Sequence, residues 1–512
     1  MSPTSPLGRS TRRSAAPNRR AAAIAAALLL WVAALAFRLP HLSNRPMHGD
    51  EAVHAFKFRI LWKTGLYRYD PNEFHGPTLY YLTLPVVWLT GKHRLADTNE
   101  ADFRIVTVVA GACIVLAPAL LSEGLVPEAA LLAAVFLTLS PAFVFYSRYY
   151  IQETLLALFN LVAIGCGWRW RRNGSAKWLA ACGVFAGLML ATKETSVLAF
   201  AAAAVAAPAS ALWRRLVDRR LNPVHVAKTA ALVAILLGCI TAALFLTGFF
   251  SNPRGAIDIF RAFSPWLRRA KSTAIHREPW SYYLRMLFWS HRGGGAIWSE
   301  GLIAGLGLAG CVVALMPEKT IAALLRREGD WPSGLHRFLA FYFIAITVVY
   351  SAIPYKTPWC VLNILMPLAL LAGVGAEAII RAARWRFVQL AAGLLLLAGC
   401  AQLGAQAYRA CFVAETDTRN PYVYAQPIPD ILRLAKRVQQ VSRVPGMGRS
   451  MVIKVFSVDN YYWPLPWYLR DFQNVGYWNE VPPDPAGPVI IASPEFDDTI
   501  SKRLPDYYMT GY

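Results

Sequence analysis

The chain has 512 residues, of which 56% are hydrophobic and only 16% charged. A soluble globular protein carries roughly a quarter charged residues, so a soluble domain is excluded for the bulk of the chain. The formal net charge of +22 would suit a nucleic-acid partner. However, the basic residues form short runs between apolar blocks, as membrane topology requires, and this excludes nucleic acid.

The apolar blocks lie near 21–37, 105–121, 129–146, 154–168, 178–192, 195–212, 229–250, 295–316, 338–353, 360–380 and 388–405. Each approaches the ~20 residues a spanning helix needs. They predict an all-α polytopic membrane domain of about eleven transmembrane helices, with further juxtamembrane helices, filling residues 21–405. Ahead of it, residues 1–20 form a basic N-terminus containing Arg12, Arg13, Arg19 and Arg20. The block after it has no small-residue cleavage site, so an uncleaved first span is expected.

Orientation follows from the positive-inside rule. With the N-terminus in the cytoplasm, the basic loops 169–177, 213–228, 317–337 and 381–387 (Arg169, Arg171, Arg172, Lys177; Arg214, Arg215, Arg219, Arg220; Arg326, Arg327, Arg337; Arg381, Arg384, Arg386) fall on that side. The count requires Thr78–Gly91, short and interrupted by Pro85, to lie at the interface instead of crossing. One loop fits poorly: 122–128 should face inward, yet holds Glu123 and Glu128 and no base. The outward segments are then 38–104, the turns 147–153 and 193–195, the loop 251–294, residues 354–359, and the tail 406–512. The tail is more polar. Its β-like runs Met451–Ser457 and Pro488–Ser493 predict a small extracytoplasmic C-terminal α/β domain.

Eight single cysteines without a CxxC pair suggest neither a thiolate metal site nor disulfides, only small buried hydrophobes. The first outer loop carries the sharpest constellation, Pro46-Met47-His48-Gly49-Asp50-Glu51-Ala52-Val53-His54. Its adjacent carboxylates open an amphipathic stretch, where an acid can cap a helix or do chemistry. Arg148, Glu153, Lys193 and Lys356 lie at outward span ends, and ionisable groups at such depth are functional candidates unless they snorkel. The loop 251–294 holds eight Lys/Arg (Arg254, Arg261, Arg268, Arg269, Lys271, Arg277, Arg285, Arg292) interleaved with aromatic residues. That pattern suits a membrane-lying helix on anionic head groups, or a lipid-linked phosphate. His48, His54 and His75 allow a divalent cation, with His48 and His54 the candidate ligands, but a lone ExxH is a weak metal signal.

Taken together, these motifs resemble the C-type membrane glycosyltransferases, especially the protein O-mannosyltransferase and aminoarabinose-transferase superfamily, over residues 21–405. Asp50-Glu51 matches its Asp-Glu pair, Gly76-Pro77-Thr78-Leu79-Tyr80-Tyr81 its Lys-Pro-Pro-Leu-Tyr-Tyr (with Gly76 in place of the lysine), and Arg104 its arginine opening a span. Ser147-Arg148…Glu153 resembles the second acidic position, Thr192-Lys193 the Thr-Lys closing the fifth span, and Lys356-Thr357-Pro358-Trp359 the late Lys-x-Pro-Tyr element. His48–Ala55, Phe74–Tyr81 and Trp463–Arg470 look most like a prokaryotic branch associated with flippase activity.

The resemblance implies sugar transfer, with inversion, from a polyprenyl-phosphate donor to an extracytoplasmic acceptor at a prokaryotic plasma membrane. Asp50, Glu51 and Glu153 would form the catalytic set. Arg104, Arg148, Lys193, Lys356, His54, His75 and Tyr80 would bind substrate or lipid phosphate, and membrane lipids would surround the chain. No cofactor is required by this chemistry. A transport component for lipid-linked sugars and a non-catalytic assembly partner are the alternatives. The Asp-Glu pair favours the enzyme.

Overall fold

A computed structural model describes residues 15–72, 75–219, 228–271, 276–325 and 333–511. Arg12, Arg13, Arg220, Arg326 and Arg327 lie outside the described residues, as do the side chains of Arg19, Arg20, Arg269 and Lys271. The chain opens with α1 (Ala15–Arg38), then α2 (Gly49–Thr64) and α3 (Thr78–Leu89). Next come α4 (Glu100–Leu116), the single turn α5 (Ser122–Leu125), α6 (Pro127–Leu139), α7 (Pro141–Ser147), α8 (Glu153–Asn173), α9 (Ala176–Leu190), α10 (Ser196–Val217) and α11 (Lys228–Leu246). Two helices, α12 (Gly255–Lys271) and α13 (Tyr282–Phe288), fill the next long loop. They precede α14 (Gly301–Leu315), α15 (Glu318–Leu325), α16 (Ser333–Ala352), α17 (Val361–Ala382) and α18 (Arg386–Tyr408). The tail holds α19 (Asp430–Val441), β1 (Val452–Phe456), α20 (Leu465–Tyr468), β2 (Asn474–Trp478), β3 (Val489–Ala492) and α21 (Asp497–Arg503).

This is a multi-pass membrane protein. Among the described residues six helices are long and apolar enough to cross a bilayer, and the pair α6–α7, bent by 58°, would make a seventh. The remaining apolar blocks fall on α1, α9 and α14, whose apolar stretches are shorter, and on α8, which ends in Arg169, Arg171 and Arg172. The α6–α7 bend frees backbone donors inside the bundle, where an unsatisfied group is costly. Buried Glu300 accepts from Ser140 Oγ (2.8 Å), from the Ala142 amide (2.8 Å) and from Tyr422 Oη (3.2 Å). At the centre α17 is enclosed on every side. It meets α14 so closely that a Cβ on Gly310 would lie 1.9 Å from the Leu371 carbonyl oxygen, the small-residue packing that membrane helices use.

The poorly fitting loop 122–128 has a local explanation. Glu123 pairs with Arg172 at 3.0 Å and with Arg169 at 3.9 Å, and Glu128 pairs with Arg381 at 3.6 Å. Its acids therefore lie against the basic loops 169–177 and 381–387, on one end of the bundle. At the opposite end the tail packs on the first outer loop: Trp467 Nε1 donates to Glu100 (2.9 Å), and Arg470 donates to the Leu95 and Thr98 carbonyls (3.1 and 2.6 Å).

The strand runs read from sequence become β1 and β3. A third strand, β2, went unread because Asn474-Val475-Gly476-Tyr477-Trp478 lacks a β-branched run. All pairings are parallel, in the order β2-β1-β3. Thiol labelling in a cysteine-depleted background tests the two ends. A cysteine at Asn173 and one at Asp498 are expected to react from opposite sides of the membrane, and reaction from the same side would overturn this topology.

Candidate functional site

The site begins with a buried ion pair. Glu51, in the first turn of α2, is fully buried and receives Arg104 Nε on Oε1 and Nη2 on Oε2, both at 2.7 Å. The remaining Arg104 donors go to the carbonyls of Leu42 (2.6 Å), Arg45 (2.9 Å) and Pro46 (3.0 Å). Glu51 also accepts from the amides of His48 (2.9 Å) and Tyr150 (2.9 Å). Burial alone would raise its pKa, but the guanidinium of Arg104, and next that of Arg45, outweigh it and hold the carboxyl at about 2. Glu51 thus completes the capping box of α2. It also ties that helix to the turn before Glu153.

Asp50, one residue earlier, is left with its side chain 54% exposed. Its amide caps onto His48 Nδ1 (3.0 Å), while no donor among the described residues reaches its carboxylate. That carboxylate lines a cavity of about 230 Å³ together with His54, His75, Glu153, Lys193 and Trp359. Glu153 and Lys193 form a buried ion pair on its wall. Burial would favour the neutral amine, but Glu153 beside it raises the Lys193 pKa and keeps it charged. His54 Nδ1 bonds Tyr80 Oη at 2.8 Å. Burial pushes its imidazole down to about 3; Asp50 opposes that, and the charges at His75 and Lys193 reinforce it. His54 is therefore neutral.

Residues 76–78 lie against 191–192. The Gly76 amide bonds the Thr192 carbonyl (3.1 Å), and Thr78 Oγ1 bonds Thr192 Oγ1 (2.8 Å). A Cβ at position 76 would sit 2.1 Å from the Ala191 carbonyl oxygen, so a lysine is sterically excluded there. This contact brings His75 to Glu194: Nδ1 lies 2.7 Å from Oε2, and Tyr69 Oη donates to Oε1 at 2.6 Å. Burial would raise the Glu194 carboxyl, but His75 and the hydrogen bonds hold it at about 2.

Of the residues singled out in the sequence, Asp50, His54, His75, Glu153 and Lys193 converge on one cavity. Glu51 and Arg104 lie behind it, and Tyr80 behind His54. Arg148, expected at the phosphate, faces elsewhere: it donates to the Arg38 (2.8 Å) and Pro40 (2.6 Å) carbonyls and stacks on Phe412. Lys356 is buried against the carbonyls of Ser351 (3.1 Å) and Ile353, between cavity-lining Tyr355 and Thr357. His48 uses Nδ1 as the cap of α2, and no group of three or more His, Cys, Asp or Glu among the described residues is arranged to hold a metal. Sequence reasoning missed Glu194, although Thr192-Lys193-Glu194 offered an acid beside a site lysine. Trp266, one of the aromatic residues interleaved in the basic loop 251–294, reaches the cavity on amphipathic α12, which exposes Ile257 and Phe260.

Comparison with known proteins agrees with this geometry. Residues 80–251 match the model of the family described as dolichyl-phosphate-mannose-protein mannosyltransferase. Among solved structures, ArnT from Cupriavidus metallidurans bound to undecaprenyl phosphate is similar at a TM-score of 0.56 and 17% identity, covering 95% of this chain and 91% of that one. The archaeal oligosaccharyltransferase AglB from Archaeoglobus fulgidus, in complex with an inhibitory peptide and a dolichol-phosphate, is similar at a TM-score of 0.53 and 13% identity, covering 88% of this chain and 64% of that one. No curated protein matches by sequence. The chain has the fold of the C-type membrane glycosyltransferases.

Two outcomes follow from the ionic layout. Arg104→Leu strands Glu51 without its partner, and should lower stability by about 3–5 kcal/mol in a denaturant or thermal melt; a loss below 1 kcal/mol would contradict the pairing. His54 binds its proton more weakly folded (about 3) than at its ordinary 6.5, so the unfolded state takes up more protons between these values. Stability should therefore rise with pH across roughly 3 to 6.5. The His54→Asn protein should show a shallower dependence in melts across that window.

Proposed function

We propose that this protein is a membrane glycosyltransferase moving a sugar from a polyprenyl-phosphate donor to an acceptor outside the cytoplasm. The N-terminus lies in the cytoplasm of a prokaryotic cell and the C-terminal domain outside, with the motifs nearest the flippase-associated branch. The observation that carries the reading is the cavity itself, where the half-exposed carboxylate of Asp50, 4.0 Å from His48 Nδ1, shares one small space with the Lys193–Glu153 pair and with His54 and His75. Lipid phosphates in the two similar structures, undecaprenyl phosphate and dolichol-phosphate, support the donor class.

In the proposed reaction, Asp50 takes the proton of the acceptor hydroxyl as that oxygen attacks the anomeric carbon. The bond from this carbon to the phosphate oxygen breaks on the opposite face, and its electron pair leaves with the polyprenyl phosphate, so the configuration inverts. Lys193 shares its ammonium between Glu153 and the leaving phosphate, and His75, backed by Glu194, donates to the same group. This electrostatic stabilisation of the departing charge is usually the largest catalytic contribution. Because the leaving group is already a phosphate, the reaction requires no metal or other cofactor. Glu51, Arg104 and Tyr80 position the residues that do the chemistry, and Lys356 shapes the segment 353–357. The basic aromatic loop with α12 seats the lipid at the membrane surface.

Asp50→Asn keeps the shape and removes the basicity. With purified protein and a labelled polyprenyl-phosphate sugar, it should lower transfer about 10²–10⁴-fold while donor binding persists. Transfer by Asp50→Asn at the wild-type rate would overturn the mechanism. Movement of labelled lipid across vesicles without transfer would make the protein a transporter. Lys193→Met should instead weaken retention of undecaprenyl phosphate in a lipid-binding assay, and equal retention would remove Lys193 from the phosphate site.

A further inference from the structure

A second cleft lies in the tail, separate from the cavity around Asp50. It has a volume of about 400 Å³ and runs between α19 and the segment leaving β1, with Ile431 and Leu434 on one side and Tyr461, Tyr462 and Trp463 on the other. Its size falls within the range of small-ligand sites, roughly 300–1,000 Å³. The sheet explains its position. In an open parallel sheet, here ordered β2-β1-β3, ligands bind outside the carboxyl ends of the strands. The loop from the carboxyl end of central β1 supplies the aromatic wall. Tyr461 is 70% exposed there, so its ring face is open to the cleft.

The wall is built, not loose. Tyr462 packs against Tyr477 with centroids 4.6 Å apart and the rings tilted by 37°, and Trp463 packs edge-on against Phe56 of α2 at 5.6 Å. The facing rim carries Asp430, the first residue of α19, which pairs with Arg433 (2.9 Å). Flat exposed rings opposite a carboxylate are complementary to a pyranose, which offers an apolar C–H face and a rim of hydroxyl donors. The cleft is also joined to the reaction centre. Gln426 on its floor donates to the Pro46 carbonyl (2.9 Å) and accepts from Tyr149 (2.8 Å), and the Trp463 Cβ would lie 3.6 Å from a Cβ on Gly49, beside Asp50.

We propose that this aromatic cleft binds a saccharide unit of the acceptor, holding the glycan so that its free hydroxyl reaches Asp50. The inference rests on the glycosyltransferase reading and adds the acceptor class: a carbohydrate.

The test is direct binding, independent of transfer. Full-length protein in nanodiscs is applied to an array of hexose- and pentose-terminated glycans and to an array of extended peptides, and hits are titrated by calorimetry. Retention on glycans is expected, weakened at least tenfold by Tyr461→Ala and restored by Tyr461→Trp. Retention on no glycan, retention indifferent to Tyr461→Ala, or retention on peptides alone would each overturn the proposal. Glycan binding sensitive to Tyr461, with no sugar transfer by the wild-type protein, would remove the enzymatic reading and leave a carbohydrate-binding site. Transfer to an acceptor without Tyr461-sensitive glycan binding would do the reverse.

Discussion

The Glu51–Arg104 pair organises everything around it. Two charges taken out of water cost several kcal/mol each, and only close geometry with full hydrogen bonding offsets that. Here the geometry is complete: Arg104 places every donor on Glu51 or on the carbonyls of residues 42–46, and Glu51 accepts from two further backbone amides. A pair of this kind adds little net stability compared with an apolar substitute, but it tolerates few alternative arrangements. The loop 42–48, the start of α2 and the turn at Tyr150 are fixed in one relation by a single carboxylate. Asp50 is oriented by its neighbour's saturation.

The same logic separates charges that hold the fold from charges left available. Arg104 and Arg148 are surrounded by carbonyl oxygens, and Glu300 closes the break between α6 and α7. Around the cavity the arrangement differs. Among the described residues, Lys193 pairs with the carboxylate of Glu153, and His75 is anchored through Nδ1. On the proposed reading, a phosphate entering this space meets a cation already balanced by Glu153, so Lys193 is buried as half of an ion pair and not as a lone charge. Gly76 belongs to this economy of space: close backbone contact with Ala191 excludes a side chain, and His75 stands beside the point where the resemblance has lysine.

The tail is coupled to this centre through short contacts. Tyr468 Oη accepts from the Met47 amide (2.8 Å), Trp467 reaches Glu100, and Trp463 leans on α2. A domain tied to the loop that carries Asp50 is suited to presenting an acceptor, because a shift in either would move the other.

Some of this was written in the sequence itself. Blocks of apolar residues long enough to meet the bilayer have to become helices, since no water is present to satisfy an open backbone. Basic runs mark the loops by charge alone, so the helical membrane domain and a polar tail with short strands were legible in the sequence. The Asp50-Glu51 pair and the isolated lysines stood out as charges in costly places. Tertiary structure alone decided their use. Adjacent Asp50 and Glu51 look alike in sequence, yet Glu51 is buried beneath Arg104 of α4 and Asp50 opens into the cavity. Arg148 and Lys193 likewise look equivalent until the fold surrounds the first with carbonyl oxygens and sets Glu153 beside the second. Glu194, the short strand β2 and the cleft between α19 and Tyr461 depend on partners from 22 to 119 residues away. A local sequence pattern carries no information about contacts across that distance, because which groups share a desolvated space is fixed only once the helices have packed.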